Sequence, residues 1–202
     1  LHGVKGETVS REQLAAEAVR VEQELIGERV GCQDQYACAV GGFLHLEFHQ
    51  DGRAVVHPIV LNPERLEALR EHLVLLYTGL QRDAHLVLQE QFERTASGDN
   101  VRALHQLKEL VEESLDVLTN STDLAAFGRL LHEGWMLKRQ LSSQVSTSWI
   151  DELYERARNA GAIGGKLLGA GSGGFLLLCV EPSKREAVTQ ALSLQEVGFS
   201  FE

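Results

Sequence analysis

A chain of 202 residues, 44% of them hydrophobic, has the length for one large domain or two small ones and enough apolar content for a core, which excludes a disordered class. Its formal charge of −10 excludes a broad nucleic-acid or anionic-membrane surface, because such surfaces rest on clustered Lys and Arg. No apolar run reaches the roughly 20 residues that span a bilayer, and no basic-then-apolar leader opens the sequence. The expectation is a cytoplasmic protein acting on small molecules, with neither nucleic acid nor membrane as partner and no oligomeric state indicated.

In chain order, Leu1-His2-Gly3-Val4-Lys5-Gly6 lacks an initiator Met and reads as the end of a helix and its turn, so a fragment missing an N-terminal part is expected. Ser10 and Gln13 form a capping-box pattern, and Leu14, Ala18, Val21 and Leu25 recur at helical spacing up to Gly27. A second helix is predicted over Asp34–Val40, small on one face through Ala37 and Ala39, and stopped by Gly41-Gly42. Phe43–Phe48 and Arg53–Ile59 flank Asp51-Gly52, a strong hairpin signal. Asn62-Pro63 pairs a good N-cap with a proline suited to the first helical position, and marks a domain junction.

A strand over His72–Tyr77 ends in Thr78-Gly79. Helices follow around 81–94, 100–118, 122–141 and 148–159, with Leu104, Leu107, Val111 and Leu115 marking buried faces. Ile163–Leu168 and Phe175–Val180 read as strands joined by a glycine loop, Pro182–Leu192 as a helix and Val197–Phe201 as a last strand. The succession defines an α+β fold. Cys32, Cys38 and Cys179 form no CxxC pair and read as reduced thiols.

Two segments carry the chemistry. In Gly169-Ala170-Gly171-Ser172-Gly173-Gly174, low side-chain bulk lets backbone N–H groups meet an anion. Lys166 precedes the glycines rather than closing them, so this is no Walker A loop, and a strand rather than a helix follows, so it is no dinucleotide fingerprint. The competing reading is a tight connection between two strands. In the other segment Asp34, between Gln33 and Gln35, begins a short helix. It reads either as an ordinary helix cap or as a carboxylate that orients or deprotonates an attacking hydroxyl, with amides suited to sugar hydroxyls beside it.

Thr78, Gly79 and Arg82 lie at a strand end. Arg82 suits a bidentate phosphate contact or is a surface arginine. His45, Glu47 and His49 share one strand face, but a solvated hairpin face explains them more cheaply than a metal, so no metal ligand is assigned. His132-Glu133 lacks the second His of a zincin helix. Trp135 and Lys138 either line a cleft or pack and snorkel.

Taken together, Val30-Gly31-Cys32-Gln33-Asp34-Gln35-Tyr36-Ala37, Gly41-Gly42-Phe43, Tyr77–Arg82, Gly128–Lys138 and Gly161–Gly171 resemble the sugar kinases of the GHMP superfamily, most of all its heptose 7-phosphate kinase branch. The resemblance implies ATP- and Mg2+-dependent transfer of a phosphoryl group to the anomeric hydroxyl of a sugar phosphate, feeding surface-polysaccharide synthesis. It places Asp34 beside the acceptor hydroxyl with Gln33 and Gln35, Thr78, Gly79 and Arg82 near the sugar phosphate, and Lys166 with Gly169–Gly174 near the phosphates. The complete enzyme would have two α+β domains with the active site between them. Residues 1–61 would be the end of the N-terminal domain and 62–202 the C-terminal domain.

Two departures stand out. Ser172 replaces a glycine, tolerated if it keeps negative φ and narrowing the loop if not. The family's first and second motifs are absent from this sequence, so the 202 residues alone are expected to be inactive. The alternatives are a kinase of L-fucose or another sugar, and a catalytically silent sugar-binding module.

Overall fold

The computed structural model describes residues 2–28, 30–80, 84–121 and 123–201. The chain divides into two compact units, one running to Val60 and including Phe201, the other Leu61–Ser200.

In the first unit a short helix α1 (His2–Lys5) precedes α2 (Arg11–Arg20), capped where the Ser10 hydroxyl accepts from the Gln13 N–H at 3.1 Å. The helix does reach Gly27, but its end, Val21–Ile26, winds as a π-helix. From that wider turn Gln23 donates to the Val30 carbonyl at 2.7 Å, and Glu22 accepts from Gln35 at 2.7 Å, tying it to α3 (Gln33–Val40). Arg11 donates to the Val40 carbonyl at 2.6 Å and closes the far end of α3. The predicted apolar stripe is only partly covered: Ala15 is fully buried, whereas Leu14, Val21 and Leu25 stay exposed.

The predicted hairpin forms from β1 (Leu44–Phe48) and β2 (Ala54–Pro58), with Leu46 opposite Val56 and Gly52 at φ 84° in the turn. Phe48 meets Tyr36 of α3 edge-on at 5.7 Å.

The second unit is built on an antiparallel sheet in the order β4-β5-β3-β6, from β3 (Leu73–Tyr77), β4 (Ala162–Leu167), β5 (Phe175–Val180) and β6 (Gln195–Glu196). Its helices are α4 (Pro63–His72), α5 (Ala84–Ala96), α6 (Val101–Asn120), α7 (Leu124–Leu141), α8 (Ser148–Ala160) and α9 (Arg185–Leu192). Asn62 caps α4 as predicted, accepting from the Arg65 N–H at 2.7 Å. The core joins Val74 and Leu76 of β3 and Leu176, Leu178 and Val180 of β5 to Trp135, Ile150, Leu153, Tyr154 and Val188 of the helices. Burying each such side chain contributes roughly 1.5–3 kcal/mol. Helix α7 can lie directly on β4 because Gly128 and Gly164 face each other: a Cβ on Gly128 would sit 2.8 Å from the Ile163 side chain.

Two expectations are corrected. The last strand is Gln195–Glu196 rather than Val197–Phe201: its final rung is the Val197 N–H to the Leu75 carbonyl at 2.8 Å, and Phe201 instead packs edge-on against Phe43 in the first unit. On α6 the buried positions are Ala103, Leu110 and Leu118, while Leu104 and Val111 are 37% and 45% exposed. The seam against α7 runs about one residue off the stripe read from the sequence, so only part of that stripe is covered. Cys179 is buried, and burial raises its thiol to a pKa of about 11. All three cysteines are free. No helix among the described residues is long and apolar enough to cross a membrane.

Candidate functional site

The glycine loop is a rigid turn held from two sides. On one side the segment between α7 and α8 supplies its floor: the Ser172 N–H donates to the Val145 carbonyl at 2.9 Å, and the Ser172 hydroxyl donates to the Gln144 carbonyl. On the other side the end of β3 clamps its exit. Both the N–H and the hydroxyl of Thr78 donate to the Gly174 carbonyl, at 2.9 and 2.8 Å, and the Gly174 N–H donates to the Leu80 carbonyl at 2.9 Å. Lys138 of α7 donates to the Gly169 carbonyl at the entry.

Glycine is required by this close approach. A Cβ on Gly171 would lie 2.6 Å from the Val145 carbonyl oxygen, and one on Gly173 would lie 2.7 Å from that of Leu80. Ser172, the departure from glycine, does adopt positive φ, at 63°. Its two hydrogen bonds and near-complete burial hold it there.

The loop amides thus divide. Those of Ser172 and Gly174 are taken by protein carbonyls, whereas those of Gly169, Ala170, Gly171 and Gly173 have no backbone acceptor among the described residues. These four are the ones able to meet an anion.

Lys166 is not on the loop but in β4, opposite Leu177, where burial holds its ammonium below the usual lysine range. Thr78 is only 3% exposed, with its hydroxyl committed to the loop clamp rather than to solvent. Gly79 follows at φ 76°. Arg82 lies outside the described residues.

Sequence reasoning missed the carbonyls of Gln144, Val145 and Leu80 that shape the loop. Backbone acceptors leave no composition signal, though the density of serines in Ser142-Ser143-Gln144-Val145-Ser146-Thr147 marks a hydrogen-bonded turn. Trp135 proves to be core, packed 6.2 Å from Tyr154, and does not line a cleft. Its neighbourhood includes His132, whose Nδ1 lies 2.8 Å from the Tyr154 hydroxyl. Burial lowers the His132 pKa and raises that of Tyr154 to about 12.

In the first unit Asp34 stands in the first turn of α3, after Cys32 at the N-cap, and makes no cap bond. Its carboxylate is exposed and has no hydrogen-bond or ion-pair partner among the described residues. Of the helix-cap alternative the structure keeps the first-turn placement, where the helix dipole favours a carboxylate, but not a side-chain cap bond. Gln33 is exposed; Gln35 is half-buried, its Nε2 held by Glu22 and its Oε1 buried without a partner among the described residues. On the hairpin, Glu47 pairs with His57 at 2.9 Å, beneath His45 and beside His49. No group of three or more His, Cys, Asp or Glu side chains among the described residues is arranged to hold a metal ion.

With this geometry in hand, residues 107–196 match the family described as GHMP kinases C terminal, and helices on an antiparallel sheet give the second unit the α+β fold of that domain. Among particular proteins, it is 29% identical over 184 residues to D-glycero-alpha-D-manno-heptose 7-phosphate kinase of Campylobacter jejuni, covering 91% of this chain and 54% of that protein. It is 30% identical to the bifunctional fucokinase/GDP-fucose pyrophosphorylase of Arabidopsis thaliana, over 88% of this chain and 17% of that protein. The crystal structure of a D-glycero-D-manno-heptose 1-phosphate kinase from Bacteriodes thetaiotaomicron superposes with a TM-score of 0.74 at 26% identity, over 99% of this chain and 55% of that one. The chain spans about half the length of the heptose kinases it matches.

Proposed function

We propose that this protein acts in an ATP-dependent sugar kinase that phosphorylates the anomeric hydroxyl of a heptose phosphate. The observation that carries the kinase reading is the glycine loop, held from two sides while four of its amides keep no backbone acceptor among the described residues. Phosphoryl transfer asks a protein chiefly for positioning and for stabilisation of charge on phosphate oxygens, and a rigid row of N–H groups supplies both. The heptose assignment is supported by similarity over nine-tenths of the chain to a heptose 7-phosphate kinase.

In this reading Asp34 accepts the proton of the sugar hydroxyl as that oxygen bonds to the γ-phosphorus and the bond to the ADP oxygen breaks. Gln33 hydrogen-bonds the sugar. Thr78 and Gly79 act through the shape of the loop exit, with Arg82 toward the sugar phosphate. Mg2+ would neutralise phosphate charge when bound. Surface-polysaccharide precursors and a cytoplasmic location complete the reading.

The test is ATP consumption by the full-length natural protein with a panel of heptose 7-phosphate, L-fucose, galactose and mevalonate. Turnover with heptose 7-phosphate far above the rest is expected. Preference for L-fucose would favour the second reading, which the similarity to a fucokinase supports. Sugar binding without ATP turnover would favour a silent module.

A further inference from the structure

The segment that forms the floor of the glycine loop is itself held by a residue more than fifty positions earlier. Where α7 ends at Leu141, its last carbonyls are met from α5 and the start of α6: Arg94 donates to the Gln140 carbonyl at 2.8 Å and Asn100 to the Leu141 carbonyl at 3.0 Å. Glu90 then takes the next two residues. Its carboxylate accepts from the Ser142 hydroxyl at 2.7 Å, the Ser143 N–H at 2.9 Å and the Ser143 hydroxyl at 3.0 Å. The Ser142 hydroxyl accepts in turn from the Gln144 N–H at 3.0 Å. Two bonds further on are the Gln144 and Val145 carbonyls that receive Ser172.

We infer that Glu90 is a positioning residue for the glycine loop: its carboxylate fixes the turn at 142–145, and that turn fixes the Ser172 backbone and with it the neighbouring amides. Three donors converge on one carboxylate, and bonds to a charged acceptor are about twice as strong as neutral ones, so this is the firmest hold on the turn. The Ser143 N–H and the Ser142 hydroxyl also keep the Glu90 carboxyl below the usual range, in keeping with a permanently ionised anchor. No side chain of the turn needs to touch a ligand for this to matter, because a misplacement of about 1 Å at a phosphate-binding backbone is enough to weaken it.

The inference rests on the kinase reading only for its consequence in turnover; its structural part is tested separately. Backbone hydrogen exchange is measured on the full-length protein, comparing wild type with Glu90→Ala and Glu90→Gln. In Glu90→Ala the Ser172 amide is expected to exchange about tenfold faster, while amides of β5 stay within about twofold of wild type. Glu90→Gln, which keeps one acceptor oxygen, is expected to fall between. Unchanged exchange at Ser172, or a uniform rise through loop and sheet alike, overturns the inference, the latter because it marks a merely structural role.

Where wild type is active, Glu90→Ala is expected to lower kcat about tenfold with sugar KM changed less than about threefold. Faster exchange at Ser172 with kcat unchanged overturns the functional half. Absence of activity in wild type overturns the kinase reading and leaves the exchange result to decide the positioning role alone.

Discussion

The hydroxyl of Ser172 reaches the carbonyl of Gln144 from a backbone in the left-handed region, so one residue both strains the loop and fastens it. The strain costs a non-glycine residue about 1 kcal/mol, and losing the hydroxyl leaves a carbonyl unpaired at a cost of about 1–3 kcal/mol. Ser172→Ala keeps the strain and loses the bond, whereas Ser172→Gly loses the bond and relieves the strain. Urea denaturation is expected to find Ala less stable than Gly by about 1 kcal/mol, and both below wild type. The opposite order of midpoints would mean the serine is not strained.

Gly169 and Gly171 share positive φ but not surroundings. A Cβ at Gly169 meets no atom of the described residues within 4 Å, while one at Gly171 meets Val145 backbone at 2.6 Å. Gly169→Ala should cost about 1 kcal/mol through backbone strain alone. Gly171→Ala should cost about 2 kcal/mol or more, because Val145 cannot move without disturbing the core. Equal midpoints for the two variants would refute the close approach.

Among the described residues Asp34 has no partner to lose. Asp34→Asn should therefore leave stability within about 0.5 kcal/mol of wild type, yet lower turnover by about a hundredfold or more where the carboxylate takes the proton. Parallel thermal melts and sugar-dependent ATP consumption separate the two effects. Unchanged turnover would remove Asp34 from the reaction.

Two histidines should have pKa values shifted in opposite directions. His2 is hydrogen-bonded to Glu17 at 2.5 Å and to Glu7 at 2.8 Å, which raises its pKa above 6.5. Its contribution is full below that value and is lost as pH rises through the raised folded pKa. His132 is lowered below 6.5 by burial and by Arg158, against weaker pulls from Glu155 and Glu133. Its neutral folded form is undisturbed above pH 6.5, and stability falls as pH drops from there through the lowered folded pKa. Imidazole proton resonances followed from pH 5 to 8 give both midpoints. The same midpoint for the two residues would contradict these environments.

Much of the fold was legible because local rules and packing agree in it. Ser10 and Asn62 cap where expected, Asp51-Gly52 turns the hairpin, and the long helices end near their predicted limits. The α6 seam and the last strand were misread for one reason: periodicity gives an apolar face but not the partner that covers it, and a strand exists only where a neighbour offers a ladder. Within the candidate site, glycine spacing pointed to the loop, and an acid between two amides pointed to Asp34. Thr78 looked like a binding side chain because of its strand-end position, while its hydroxyl turns inward to Gly174, a contact across 96 positions that no local pattern encodes.

The two-sided hold on the turn between β4 and β5 has one more consequence, for its length. Leu168 and Phe175 close it, Val145 grips its middle and Leu80 its exit, so the stretch from Ser172 to Phe175 contains no slack. Ordinary surface loops tolerate inserted residues at little entropic cost. Here an insertion at Gly173, between the two held amides, would have to break the bond from Ser172 or the one from Gly174, so between those anchors residue count is under the same constraint as residue identity.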